Sequence, residues 1–277
     1  MFALMFALWL VGKLLSIPLL LDTVPSDRWV WSIPLGVILA LVVIGGGQML
    51  SARTALGAPL LEELLAGRPR FAAARRSLSA AVAVAVLGAA LTAASLLAAL
   101  AIDVDPAAVP VRLADLGDGF APWWKWLLAS FDAGVGEELF YRFFLVSLVV
   151  WLAAGRPRQQ GPPPSTRAYW IGLVSVGLLF GWAHVDDRIG SGSAATTLAI
   201  LWALTASLGV VLGWLYWRFG LVCAIVAHFL IDTLYYVTLL PALFEWDLTR
   251  LFATGATLAV ALLVAVGACV APETQAR

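Results

Sequence analysis

The 277-residue chain is 62% hydrophobic and only 12% charged, with a mean hydropathy of +0.95. Soluble domains carry roughly 25% charged residues, so this composition excludes an ordinary soluble domain and reads as a polytopic membrane protein. Lys and Arg number 17 and Asp and Glu also 17, so no overall field points to nucleic acid or to an anionic substrate.

A bilayer core about 30 Å thick needs about 20 apolar residues per helix. Eight stretches come close to that length, at 2–21, 29–50, 78–101, 123–153, 169–185, 195–217, 219–240 and 251–271. The expected fold is therefore all-α, a transmembrane helical bundle of about eight spans forming one integral membrane domain over 1–277. The first stretch reads as a span and not as a signal peptide, since it lacks a basic start and a small-residue cleavage site before Asp22. The fourth is too long for one perpendicular helix, and Asp132, Gly134 and Gly136 interrupt it. A break is expected there. Residues 123–131, with Trp123, Trp124, Lys125 and Trp126, would form a short interfacial helix, and the spanning helix would start near Ala133 with Asp132 or Ser130 as its N-cap. Cys223 and Cys269 fall within expected spans, where they read as small buried hydrophobes. Beyond the short linker Gly161-Pro162-Pro163-Pro164 there is no low-complexity segment, and no internal repeat is evident.

The distribution of basic residues sets an expected orientation. Loops 51–77 and 154–168, the turn at Arg218 and the C-terminal tail hold Arg53, Arg68, Arg70, Arg75, Arg76, Arg156, Arg158, Arg167, Arg218 and Arg277. The opposite loops hold Arg28, Arg112, Arg188 and Arg250. This ten-to-four bias puts both termini in the cytoplasm if the number of spans is even. Lys13, Lys125 and Arg142 lie in or beside spans. The alanine, arginine and glycine bias suggests a GC-rich bacterial genome, hence a bacterial cytoplasmic membrane.

Within the fourth stretch, Glu137-Glu138-Leu139-Phe140-Tyr141-Arg142 places two carboxylates and a guanidinium in apolar surroundings. Such groups cost about 2.5–3.5 kcal/mol each at bilayer depth, so they pair, line a polar cavity or perform chemistry. On a helix Glu138 and Arg142 face the same way and can form an ion pair. Glu137 is rotated by about 100° and remains available as a general base. The chain's two histidines both lie in expected spans, His184 in Phe180-Gly181-Trp182-Ala183-His184 and His228 in His228-Phe229-Leu230-Ile231-Asp232. His228 and Asp232 share a helix face, so a hydrogen bond between them could fix the orientation or tautomer of the imidazole. With a helix start near Ala133, Glu137 would lie about 6 Å below the outer boundary, level with His184, and His228 roughly 17 Å below it. A start at Trp123 would carry Glu137 away from His184 on this reckoning. The bland alternative for all these groups is a buried charge cluster that only locks helices together. Gly177–Gly181 and Gly209–Gly213 have GxxxG spacing, which points to close helix packing and not to function.

Taken together, EExxxR at Glu137 to Arg142, FxxxH at Phe180 to His184 and an altered HxxxN at His228 to Asp232 resemble the three motifs of the CAAX-prenyl endopeptidase and bacteriocin-processing (CPBP) intramembrane proteases. Gly213-Trp214-Leu215-Tyr216 and Phe219-Gly220, ahead of His228, are also similar to that family. The resemblance covers about residues 123–240, the expected catalytic core. It implies a glutamic-type intramembrane endopeptidase in which Glu137 and His184 activate a water, while His228 and residue 232 stabilise the oxyanion.

The chain departs from the pattern at Asp232, where the family has an asparagine. An ionised aspartate cannot donate a hydrogen bond. Either Asp232 is protonated, or it orients His228, or it joins Glu137, His184 and His228 as a ligand of Zn²⁺, for which His and carboxylate are suitable donors. No HExxH is present, and the expectation is a site without a cofactor. The expected partners are the lipid bilayer and a membrane-associated protein or peptide substrate, not nucleic acid; the oligomeric state is left open. Two other functions fit the same residues. One is a proton-coupled transporter, although no paired inverted halves are visible. The other is a catalytically silent binding or immunity protein on the same scaffold.

Overall fold

The computed structural model describes residues 1–23, 29–68, 70–101, 122–157, 161–185, 195–244 and 248–270. Every regular element among them is helical. In chain order they are α1 (Phe2–Thr23), α2 (Trp29–Thr54), α3 (Pro59–Leu65), α4 (Phe71–Ala101), α5 (Trp123–Glu137), a π-helix π1 (Glu138–Val146), α6 (Ser147–Ala153), α7 (Thr166–Ala183), α8 (Ala195–Phe219), α9 (Leu221–Asp232), a second π-helix π2 (Thr233–Leu239), α10 (Leu240–Phe244) and α11 (Leu248–Val270). Each expected apolar stretch is thus helical over most of its described residues. Five segments among the described residues are long and apolar enough to cross a membrane: Phe2–Leu19, Pro34–Thr54, Phe71–Ala94, Leu198–Phe219 and Leu221–Ala242. The fourth expected span is not one of them, and it is the stretch that carries Asp132, Glu137, Glu138 and Arg142.

The expected break at 132–136 is not found. α5 starts at Trp123 behind Pro122 and runs without interruption into π1 and α6. Ser130 and Asp132 do not cap a helix: the Ser130 hydroxyl donates to the Trp126 carbonyl, and Asp132 pairs with Lys13 of α1. The glycines serve contact instead of interruption. A Cβ on Gly134 would stand 3.0 Å from the backbone nitrogen of Phe229, so the missing side chain lets α5 lie directly on α9.

This central rod is the axis of the bundle. It packs on α1 and α2 along one flank and on α7, α8 and α9 along the other, while α4 lies outside α8 and α9 and carries α11. Ile44, Val135, Leu139, Phe143, Val146, Leu173 and Tyr216 form the buried core around it. Facing outward are Leu35, Ile38, Leu39 and Val42 of α2, Trp170, Val174, Leu178 and Trp182 of α7, and Val260, Leu263 and Val264 of α11. Apolar side chains on the outside suit lipid as the surrounding solvent.

Two close approaches set the elements that bear the histidines. α7 and α8 meet at glycines: a Cβ on Gly181 would lie 2.7 Å from the Trp202 carbonyl oxygen, and one on Gly209 would lie 3.0 Å from the Gly177 Cα. Both expected GxxxG pairs therefore act in packing. At the α8–α9 corner Gly220 has φ +89°, a left-handed conformation that favours glycine. Leu221 N–H then donates to the Gly57 carbonyl at 2.9 Å, strapping the start of α9 to the α2–α3 elbow. Cys223, on the first turn of α9, is buried as expected, its Sγ 3.1 Å from the Ser77 carbonyl oxygen. Arg28, Arg112, Arg158, Arg188 and Arg277, on which the orientation partly rests, lie outside the described residues, as do the side chains of Arg250 and Cys269.

Candidate active site

Four residues from three helices converge beside the middle of the central rod. Glu137 is the last residue of α5, His184 directly follows α7, and His228 and Asp232 lie one turn apart on α9. Glu137 Oε2 is 3.7 Å from His184 Nε2 and 4.0 Å from His228 Nε2. Asp232 Oδ2 is 3.7 Å from His228 Nε2. The side chains of Glu137 and His184 are 34% and 35% exposed, against 21% for Asp232 and 6% for His228. The site therefore has an accessible pair and a deeper one. The depth reckoning that required a start at Ala133 does not hold: α5 starts at Trp123 and Glu137 still meets His184, because the first turns of α5 extend past the end of α7.

Glu138 lies at the floor, with its side chain fully buried, and one oxygen does two jobs. Arg142 Nη1 approaches Oε1 at 2.8 Å, forming the expected i,i+4 ion pair, and His228 Nδ1 approaches the same Oε1 at 2.8 Å. A carboxylate only accepts, so His228 donates from Nδ1 and turns Nε2 towards Glu137 and Asp232. This corrects the expectation that Asp232 fixes the ring. Asp232 stands beyond hydrogen-bond length on the opposite nitrogen, and Glu138, read as a purely structural partner of Arg142, is the orienting group. Arg142 also donates from Nη2 to the Gly209 carbonyl at 3.3 Å, which ties α8 to the same cluster.

Phe180 organises the accessible side. Its carbonyl accepts from His184 Nδ1 at 2.7 Å, so a neutral His184 has its free lone pair on Nε2, facing Glu137. Its ring lies tilted against His184 at 4.3 Å, meets His228 edge-on at 5.9 Å and lies 4.3 Å under the Arg142 guanidinium. A cation over an aromatic face gains electrostatic attraction without a further counter-ion. The motif spacing marked Phe180, but its fourfold contact is visible only in space.

Both π-helices border the site: π1 starts at the residue after Glu137, and π2 at the residue after Asp232. π-helical turns are rare and frequently lie at functional sites. In π1 the wider turn brings residues four apart almost into line, which suits the Glu138–Arg142 pair. No sequence signal for either π-helix was read, since both stretches carry ordinary apolar periodicity.

Among the described residues Glu137 Oε2 has no hydrogen-bond partner, and no group of three or more His, Cys, Asp or Glu side chains is arranged to hold a metal ion. Two acceptors 3.7 Å apart, Glu137 Oε2 and His184 Nε2, are suited to share one small donor such as water.

Residues 119–234, which enclose all of these groups, match the family model described as Rce1-like, type II CAAX prenyl endopeptidase. The similarity is confined to this segment. It spans α5 to the start of π2, somewhat less than half of the chain, and overlaps the 123–240 core on which the CPBP resemblance rests. No curated protein and no solved structure matches the chain. The Rce1-like family is a protease family, and with five apolar helices it supports an integral membrane peptidase. Lys13 of α1 and Asp132 of α5, paired at 2.9 Å, were not among the expected functional residues.

Proposed function

We propose that the protein is an intramembrane endopeptidase of glutamic type, acting on a membrane-associated protein or peptide, with residues 123–240 as its catalytic core. The observation that carries the reading is the 3.7 Å separation of Glu137 Oε2 and His184 Nε2, with the neighbouring Glu138 already engaged by Arg142 and His228. A water between the accessible pair donates one hydrogen bond to each. Glu137 takes a proton as the water oxygen attacks the scissile carbonyl carbon, and His184 holds the remaining O–H in line. His228 in its doubly protonated form donates from Nδ1 to Glu138 and from Nε2 to the developing oxyanion, with Asp232 beside that nitrogen to hold the imidazolium. The proton held by Glu137 then passes to the leaving amine as the C–N bond breaks. The water is thereby divided between the two products.

This mechanism needs no metal, and it predicts that chelation by EDTA leaves cleavage unchanged. The substrate class is a peptide delivered at the membrane; a prenylated CAAX terminus is one candidate, given the family description, and not a requirement. Both termini are assigned to the cytoplasm, in a bacterial membrane crossed by about eight helices, on the strength of the basic-residue bias.

The test does not depend on knowing the substrate. Peptide termini in membranes expressing the wild-type chain are compared by mass spectrometry with those in membranes expressing Glu137→Ala or His184→Ala at equal levels. New termini present only with the wild type are expected. An identical set of termini in all three removes the proposed activity.

A further inference from the structure

Lys13 is the only ionisable residue of α1 before its last turn, and nothing in the hydrolytic steps uses it. An ammonium in the middle of an apolar helix is costly at bilayer depth and calls for a function or a partner. Asp132 supplies part of the answer. Its Oδ2 accepts from Lys13 Nζ at 2.9 Å, with the aspartate side chain 13% and the lysine side chain 45% exposed. The pair is thus lopsided, since the acid is largely covered while the base is open.

Gly136, the residue before Glu137, lies beside this pair. A Cβ on Gly136 would stand 3.8 Å from Lys13 Nζ and 3.8 Å from Asp132 Oδ1, which is ordinary contact. Packing therefore does not require glycine here. What the glycine does is leave the ammonium uncovered next to the catalytic residue. Lys carries three N–H donors, and Asp132 takes one. On this flank Lys13 is a cation beside Asp132 and Gly136, one residue along α5 from Glu137.

From this geometry we infer that Lys13, held by Asp132 and left open by Gly136, binds a carboxylate of the peptide substrate on the α1 side of Glu137. It is a specificity-determining residue, and the inference rests on the peptidase reading only for the word substrate. The carboxylate is either the free C-terminus of the peptide or an Asp or Glu side chain; the chemistry is the same. An ammonium–carboxylate hydrogen bond holds the chain by one end while the scissile bond lies against the Glu137–His184 pair.

The test measures binding, which does not require turnover. The full-length Glu137→Gln protein in detergent micelles is incubated with a library of N-dodecanoyl hexapeptides, each made with a free C-terminal carboxylate and with a carboxamide, and with internal Glu or Gln. Bound peptides are counted by mass spectrometry. The expected result is enrichment of a carboxylate form over its neutral twin by about tenfold, the scale of one charge-assisted hydrogen bond. The C-terminal and side-chain arms show which source is read. Adding Lys13→Met should bring the ratio to about one, and Lys13→Arg should restore most of it. Gly136→Val, which leaves both charges in place, should reduce the ratio by covering the ammonium; it carries the test if Lys13→Met does not fold. A purely structural Lys13–Asp132 pair would lower binding of both twins alike. No carboxylate preference in the Glu137→Gln protein, or the same preference after Lys13→Met, overturns the inference. A failure of the protease reading is seen separately, in the comparison of peptide termini.

Discussion

Replacing Glu138 by Gln leaves the Arg142 guanidinium, whose side chain is 1% exposed, without a counter-charge and His228 Nδ1 with a weaker acceptor. Breaking a buried ion pair from one side costs about 3–5 kcal/mol, so Glu138→Gln should lower the midpoint of thermal unfolding in detergent markedly and abolish cleavage as well. Glu137→Gln should abolish cleavage with the midpoint nearly unchanged, since Glu137 Oε2 has no hydrogen-bond partner among the described residues. The contrast between these neighbours separates a reacting carboxylate from an orienting one. Asp232 gives a third case. It stands 3.7 Å from His228 Nε2 and not within a hydrogen bond. Either neutral substitution removes the charge that holds the imidazolium, so Asp232→Asn and Asp232→Ala should both lower kcat, by about 10–100-fold. Spacing was sufficient to separate Glu137 from Glu138, because a 100° rotation per residue is a property of one helix. It was not sufficient to say what Glu138 touches, because His228 lies 90 positions away in the chain.

At the level of elements, His184 depends on how closely α7 lies on α8. Gly181, three residues before it, would place a Cβ 2.7 Å from the Trp202 carbonyl oxygen and 2.8 Å from the Ala206 nitrogen. Backbone atoms cannot yield as a flexible side chain can. Gly181→Val should therefore push α7 off α8, cost about 1–3 kcal/mol of stability and separate His184 from Glu137. The expected readout is a lower unfolding midpoint together with lost cleavage, whereas Gly255→Val on α11, where a Cβ meets nothing within 4 Å, should change neither. The GxxxG spacings announced this contact from the sequence. The central rod was misread for the opposite reason. Asp132, Gly134 and Gly136 resemble helix breakers when local propensity alone is considered. In the bundle two of them have a neighbour that rewards them: Lys13 for Asp132 and the Phe229 backbone for Gly134. Tertiary contacts outweighed a local preference of about 1 kcal/mol per glycine.

For the whole molecule, the outward apolar faces of α2, α7 and α11 predict that the protein stays with membranes through alkaline carbonate extraction. The basic-residue bias predicts a side as well. A cysteine introduced at the exposed Gly161 should react with an impermeant maleimide only after the cytoplasmic face is opened, with the buried Cys223 contributing little background. Labelling from the outer face would reverse the assigned orientation. The sequence by itself determined the class of the fold, the helical stretches and the identity of the polar groups. Apolar runs, charge counts and one-turn spacings are local quantities, and a bilayer leaves few ways to satisfy them. Only the tertiary structure decided the continuous central rod, the Glu138–His228 hydrogen bond, the wedge of Phe180 and the juxtaposition of Lys13 with Gly136. Each of these depends on which helix lies beside which, and at what height. That is set by close packing among residues far apart in the chain, where a missing Cβ on one helix decides the approach of the next.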